Sequence, residues 1–223
     1  MITSAANEKL KLVRKLQDGR WRDKLGLFVA EGEDLVEAAR TAGIEPVELL
    51  VAGENVAPEL LAGVADLPHP PRVVAVYRRA DLPGDSLSLG VALWRVVDPG
   101  NVGAVVRTAG AFGASVALSD GCADPTSPRA LRASAGAIFR APLVGFDDAP
   151  GRRIALVAHG GRRLAEVPFV EPLTFVLGAE REGLPDEVVA RCDEVATIAT
   201  SGQVESLNVA AAAAIALYEA LRS

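Results

Sequence analysis

Apolar and polar positions divide the chain into short strand-like runs separated by helical patterns. Residues 25–30 are a short apolar run, and Glu31 and Gly32 turn it into a helical pattern over residues 34–42. Residues 47–51 and 73–76 read as further short strands. Residues 66–71 hold three prolines, and residues 81–88 are polar with Pro83 and Gly84. Proline and glycine punctuate structure, so the second stretch is the expected domain boundary, dividing 1–85 from 86–223. Beyond it, residues 87–97 are almost continuously apolar, the pattern of a strand covered on both faces in a parallel sheet. Similar runs recur at residues 115–118, 154–158, 173–177 and 195–198, with helical patterns between most of them. This alternation predicts an α/β fold with helices on both faces of a parallel sheet. Ligands in such sheets bind beyond the carboxyl ends of the strands.

A chain of 223 residues that is 50% hydrophobic has material for a real core, and disorder is not expected. Residues 1–24 are polar and basic rather than a signal peptide, and the longest apolar run, 209–218, is too short to span a bilayer. Cys122 and Cys192 lie far apart without metal-ligand spacing. Neither a disulfide framework nor a metal site is expected, and the reading is a cytoplasmic protein with two inert thiols.

The net charge of −6 speaks against a nucleic-acid partner until its distribution is considered. All four lysines, Lys9, Lys11, Lys15 and Lys24, lie in the first 24 residues with Arg14, Arg20 and Arg22. A second basic stretch carries Arg129, Arg132, Arg140, Arg152, Arg153, Arg162 and Arg163 against Asp147 and Asp148. Phosphate binding follows local potential rather than the total. Solvated helix faces explain either stretch equally well.

Three segments stand out as candidate chemistry. In the first, Pro99 and Gly100 break the strand and Asn101 is the expected N-cap of a helix. Val102, Val105, Val106, Ala109 and Phe112 then form one apolar face at ~100° per residue, with Arg107 almost opposite. Ala104 and Ala111 flank Arg107 with minimal side chains, so another surface can approach it closely. In the second, a buried strand ends at Gly178, Gly183 can take positive φ, and Pro185 starts a helix with Asp186 and Glu187 in its first turn. In the third, a strand ends near Ile198 and a polar loop leads through Ser206, Leu207 and Asn208 into an alanine-rich helix. Asn208 is unusual beside so apolar a helix, since a buried amide must find partners. Taken singly, each segment also reads as ordinary: an exposed arginine, a strand–turn–helix connection, a helix cap. No Walker loop or dinucleotide fingerprint is present, and His69 and His159 read as surface or structural residues.

In this order, the segments resemble the signature motifs of the SpoU/TrmH RNA 2′-O-ribose methyltransferases, within the SPOUT superfamily. Asn101, Gly103, Ala104 and Arg107 followed by Phe112 and Gly113 look like the first motif. Leu177, Gly178, Glu180, Gly183, Leu184 and Pro185 look like the second. Ile198 with Gly202, then Ser206, Leu207, Asn208 and Val209, look like the third. Arg132 to Gly136 with Pro142 is also similar. Phe28, Val29, Ala30, Glu31 and Gly32 resemble the small ribosomal-protein-like RNA-binding domain that many members carry. Ala199 and Thr200 depart from the proline and methionine common after the third-motif isoleucine.

The resemblance implies a parallel-sheet SPOUT domain with a carboxyl-terminal trefoil knot, an exception to the rule against threaded loops. It implies S-adenosylmethionine as cofactor, held by Leu177, Gly178, Glu180, Ile198, Gly202, Ser206 and Leu207. Glu180 would support the loop or dimer rather than transfer protons. Arg107 would activate or hold the ribose hydroxyl; Asn101 and Ser206 would fix it, and Asn208 would order the same pocket. RNA would be taken by Lys9, Lys11, Arg14, Lys15, Arg20, Arg22 and Arg132. A homodimer without metal or membrane is expected, acting on ribosomal rather than transfer RNA by analogy. A transfer-RNA methyltransferase, a non-catalytic knotted RNA-binding module and a Rossmann oxidoreductase are the alternatives, the last lacking its glycine fingerprint.

Overall fold

The computed structural model describes residues 1–66, 69–202 and 205–222. Pro68 in the proline-rich stretch, and Gln203 and Val204 in the third segment, lie outside the described residues. The front of the chain begins with two helices, α1 (Glu8–Leu16) and α2 (Gly19–Leu25). Asn7 and Asp18 cap them, each accepting from the backbone N–H two residues on. Then follow β1 (Leu27–Glu31), α3 (Glu33–Thr41), β2 (Glu48–Val51), α4 (Pro58–Ala62) and β3 (Val73–Arg78). The three strands form an antiparallel sheet in the order β1-β3-β2.

Alternation along β1 and β3 splits this sheet between two apolar cores. Val29, Val74 and Val76 meet Leu10, Val13 and Leu16 of α1 on one side. Phe28, Ala30, Ala75 and Tyr77 turn the other way, into the main core. There Tyr77 meets Phe139 edge-on with ring centroids 5.2 Å apart, and Phe28 lies within 6.1 Å of the same ring.

The change to a second sheet falls between β3 and the next strand. β4 (Leu89–Trp94), α5 (Pro99–Phe112), β5 (Ser115–Leu118), α6 (Pro128–Ser134) and β6 (Leu143–Gly145) run outward in one direction. The chain then returns to the other side of β4 with β7 (Arg152–Leu156), β8 (Arg162–Arg163), β9 (Leu173–Gly178), α7 (Asp186–Val189) and β10 (Glu194–Thr197), ending in α8 (Val209–Arg222). The seven strands are all parallel, in the order β6-β5-β4-β9-β7-β10-β8. β4 and β9 are buried along their length, which explains their continuous apolar runs.

The order reverses at β4, and β9 is inserted between β4 and β7. Such a switch point opens a crevice beyond the strand ends. α5 packs against both α6 and α8. A Cβ on Gly103 would lie 2.2 Å from the Ala130 carbonyl oxygen, so the approach of α6 to α5 requires glycine there.

Candidate active site

The crevice holds a cavity of about 700 Å³ beyond the carboxyl ends of β7, β9 and β10. Its size lies within the range of small-molecule sites, roughly 300–1,000 Å³. Of the residues expected to hold a cofactor, Leu177, Gly178, Glu180, Ile198, Ser206 and Leu207 line it. Gly202 is not among the described lining residues; its φ of 77° sets the loop's turn. Leu177, Ile198 and Leu207 supply apolar walls, while Glu180, Glu182 and Glu205 bring carboxylates to the same cavity. The set suits a flat apolar ring joined to a cationic, polar tail. A Cβ on Gly178 would lie 2.1 Å from the backbone of Gly183, so this tight turn admits only glycine.

The three segments meet in one hydrogen-bonded chain. Asn208 Nδ2 donates to Asn101 Oδ1 at 2.9 Å, and Asn101 Nδ2 donates to Glu180 Oε1. Asn208 also caps α8, its Oδ1 accepting from Ala210 N–H at 2.9 Å. That second contact fixes the amide orientation, because a flipped Asn208 would set donor against donor. Asn101 is free to join the chain because it is not the helix cap expected from the sequence. Asp98 caps α5 and accepts from Asn101 N–H at 3.0 Å, with Pro99 opening the helix.

Arg107 is exposed on α5, as its spacing predicts, and it does not line the cavity. No hydrogen bond joins it to Asn101 or Ser206 among the described residues. Asn101 precedes it by six residues, about 120° away around the helix. Within one chain, Asn101 serves Glu180 and Asn208 rather than Arg107. His159, read from sequence as surface or structural, lines the cavity with Leu156 and Val157. Only the strand order, which sets β7 beside β9, brings it there.

The basic residues divide. Lys9 pairs with Glu48, Lys11 with Glu8, Arg20 with Asp18 and Arg132 with Asp66, all at the surface. Arg14 is exposed and donates to the Ala5 carbonyl at 3.0 Å, and Lys15 is exposed as well. Arg22 is withdrawn from the RNA-binding set, since it is only 5% exposed. Its Nε donates to Asp124 Oδ2 at 2.7 Å and its Nη1 to the Leu16 and Gln17 carbonyls. Glu31 of the Phe28–Gly32 run is buried too, accepting from Gln17 Nε2 and Asp66 N–H.

Among the described residues, no group of three or more His, Cys, Asp or Glu could hold a metal ion. None of their helices is long and apolar enough to cross a membrane.

Residues 88–218 match the model of the SpoU rRNA methylase family, and residues 7–78 match an MRM3-like substrate binding domain. A 23S rRNA (guanosine(2553)-2′-O)-methyltransferase, RlmP of Bacillus subtilis, is 32% identical over 97% of this chain and 97% of its own length. An rRNA methyltransferase from Sinorhizobium meliloti with AdoMet bound superposes with a TM-score of 0.86, at 28% identity over 99% of this chain and 97% of that one. AviRb from Streptomyces viridochromogenes, in complex with the cofactor AdoMet, gives 0.86 at 26% identity over 97% of both chains.

Proposed function

The chain belongs to the SpoU rRNA methylase family, and from that premise we propose that it methylates a ribose 2′-hydroxyl of ribosomal RNA. It is an S-adenosylmethionine-dependent RNA methyltransferase. The observation that carries the reading is the chain from Asn208 through Asn101 to Glu180, which ties all three segments to the rim of one cavity.

The residues present fit the cofactor. Leu177, Ile198 and Leu207 would flank its adenosine, and strand-end backbone beside Gly178 can satisfy the base edge. Ser206 and Glu180 would meet its polar end, with Gly202 shaping the loop. When bound, S-adenosylmethionine supplies an electrophilic methyl group. The protein's part is position and electrostatics.

A ribose hydroxyl is a weak nucleophile and must be held in line. Arg107 is suited to gripping that hydroxyl and the neighbouring phosphate, with the planar fork of a guanidinium. A guanidinium offers five donors in a fixed fork and no acceptor, so holding suits it better than acting as base. Because Arg107 lies outside the cavity of its own chain, a homodimer in which it completes the other subunit's cavity is part of the proposal. The exposed apolar stripe of Ile215, Tyr218 and Leu221 on α8 supports such an assembly. The insertion of β9 between β4 and β7 supports a trefoil knot in the carboxyl-terminal part. The division into a substrate-binding domain, 1–85, and a methyltransferase domain, 86–223, is proposed on the same footing, with action in the cytoplasm and no metal.

Purified protein incubated with isotopically labelled S-adenosylmethionine and deproteinised ribosomal RNA tests this. The expected product is a 2′-O-methylated nucleoside whose adjoining linkage resists alkali. Transfer to base atoms only, or to transfer RNA only, would overturn the assignment. Binding of RNA and cofactor without transfer would favour the non-catalytic module.

A further inference from the structure

Once its ion pairs are removed, the positive charge of the first 24 residues contracts to one place. Lys9, Lys11, Arg20 and Arg22 each face a carboxylate at 2.5–2.8 Å. Lys15 and Lys24 are exposed and form no ion pair with a described residue. Each instead stands over the indole of Trp21, its Nζ 5.1 Å from the ring centroid. Trp21 and Lys24 share one face of α2 at i, i+3, and the corner between α1 and α2 brings Lys15 to them. Arg14, exposed beside Lys15, adds a third cation.

The ring is unusually placed. The other tryptophan, Trp94, packs edge-on against Phe146 inside an apolar cluster. Trp21 is half-buried, belongs to none of the three apolar clusters and stacks on no other described ring. A large indole left at the surface under two cations is a poor structural element. It is a good receptor for a flat, electron-rich group joined to anions. An exposed lysine ammonium holds an aromatic face only weakly and can swing on its stem to a phosphate, leaving the face to a base. Phosphate binding follows local potential, and here exposed cations without a carboxylate partner cluster around one aromatic face.

We infer that Trp21, Lys15 and Lys24 form a platform on which an unpaired nucleobase stacks while the lysines take the flanking phosphates. The inference rests on the reading of the chain as an RNA methyltransferase, and it specifies what the front of the protein recognises. Bases in a duplex keep their faces covered, so the ligand is single-stranded or looped-out RNA.

The test is fluorescence anisotropy with labelled oligoadenylate and with a duplex RNA of the same length, across a salt series, on the full chain. Trp21→Ala should weaken oligoadenylate binding roughly tenfold, leave duplex binding unchanged and keep the salt slope. Trp21→Phe should stay within about threefold of wild type, since phenylalanine keeps a stacking face. Lys15→Gln/Lys24→Gln should make the slope shallower by about 1.4, the value for two phosphate contacts on a single strand. S-adenosylmethionine binding and thermal melting serve as folding controls in every variant. Wild-type affinity in Trp21→Ala, or equal losses for single strand and duplex, would overturn the platform. So would a wild type that binds the cofactor but neither oligomer, or that binds only anionic lipid vesicles. A wild type that takes no cofactor and methylates no RNA would instead sink the methyltransferase reading itself.

Discussion

Asn208 presents its acceptor to Ala210 N–H and its donor to Asn101, and substitution can separate the two. Asn208→Asp keeps the cap and loses the donor. Its stability should stay within about 0.5 kcal/mol of wild type, while cofactor affinity falls as Asn101 loses its fixed orientation. Asn208→Ala should lose affinity and about 1 kcal/mol of stability with the cap. Calorimetric titration and thermal melting separate these outcomes; full affinity in Asn208→Asp would show that the chain does not shape the pocket. For Arg107→Ala, stability within about 0.5 kcal/mol and near-normal cofactor binding are expected, because the residue is exposed and outside the cavity. Single-turnover methylation should collapse, with poor rescue by Arg107→Lys. A normal rate in Arg107→Ala would remove the residue from the mechanism. The exposure of Arg107 was legible, because helical spacing alone sets it opposite the core face. The true start of α5 had a signal that the motif obscured: Asp98 before Pro99 is a cap followed by a first-turn proline. His159 carried no local signal at all.

Among the elements, β5 lies where the apolar run predicts it, and β3, β9 and β10 start or end within two residues of their runs. Strands buried on both faces announce themselves. α1 is less visible behind its lysines, although Leu10, Val13 and Leu16 repeat along one buried face. β8 is two exposed arginines and had no apolar pattern to read; it exists because β10 offers it an edge. The burial of Arg22 is a tertiary fact, since its partner lies 102 positions away. Asp124 receives Arg22 Nε at 2.7 Å and Arg79 Nη2 at 2.9 Å, joining α2 and the end of β3 to the loop after β5. Burial raises the Asp124 carboxyl. Hydrogen bonds from Thr126 and Arg22, with the charge of Arg79, outweigh it and leave the group below its ordinary value of 3.8. A depressed carboxyl contributes stability that is present above 3.8 and lost as pH falls through the lower folded value. Asp124→Ala should cost roughly 3 kcal/mol near neutrality, the low end for breaking a buried pair, because Asp124 keeps some contact with water. Denaturant melts at several pH values check this. The gap to wild type should narrow in acid, and a constant gap would mean that the charge is not what matters.

At the scale of the molecule, the main core runs from Phe28 and Tyr77 of the front sheet through Phe139 to the parallel sheet without interruption. Composition indicated such a core, but no sequence pattern showed that the two halves share it. The proposed dimer has its own test. Arg107→Ala mixed with a variant crippled in the cavity, such as Gly178→Val, should regain activity if Arg107 of one subunit serves the cavity of the other. Absence of recovery on proven subunit exchange would contradict it. The central claim is that the ends of β7 and β9 and the loop from β10 to α8 build one cofactor site, and hydrogen exchange of the full chain with and without S-adenosylmethionine measures it most directly. The account predicts slowed exchange at residues 156–159, 177–183 and 198–209, with residues 8–62 unchanged. No binding, or protection centred on the front sheet, would contradict it.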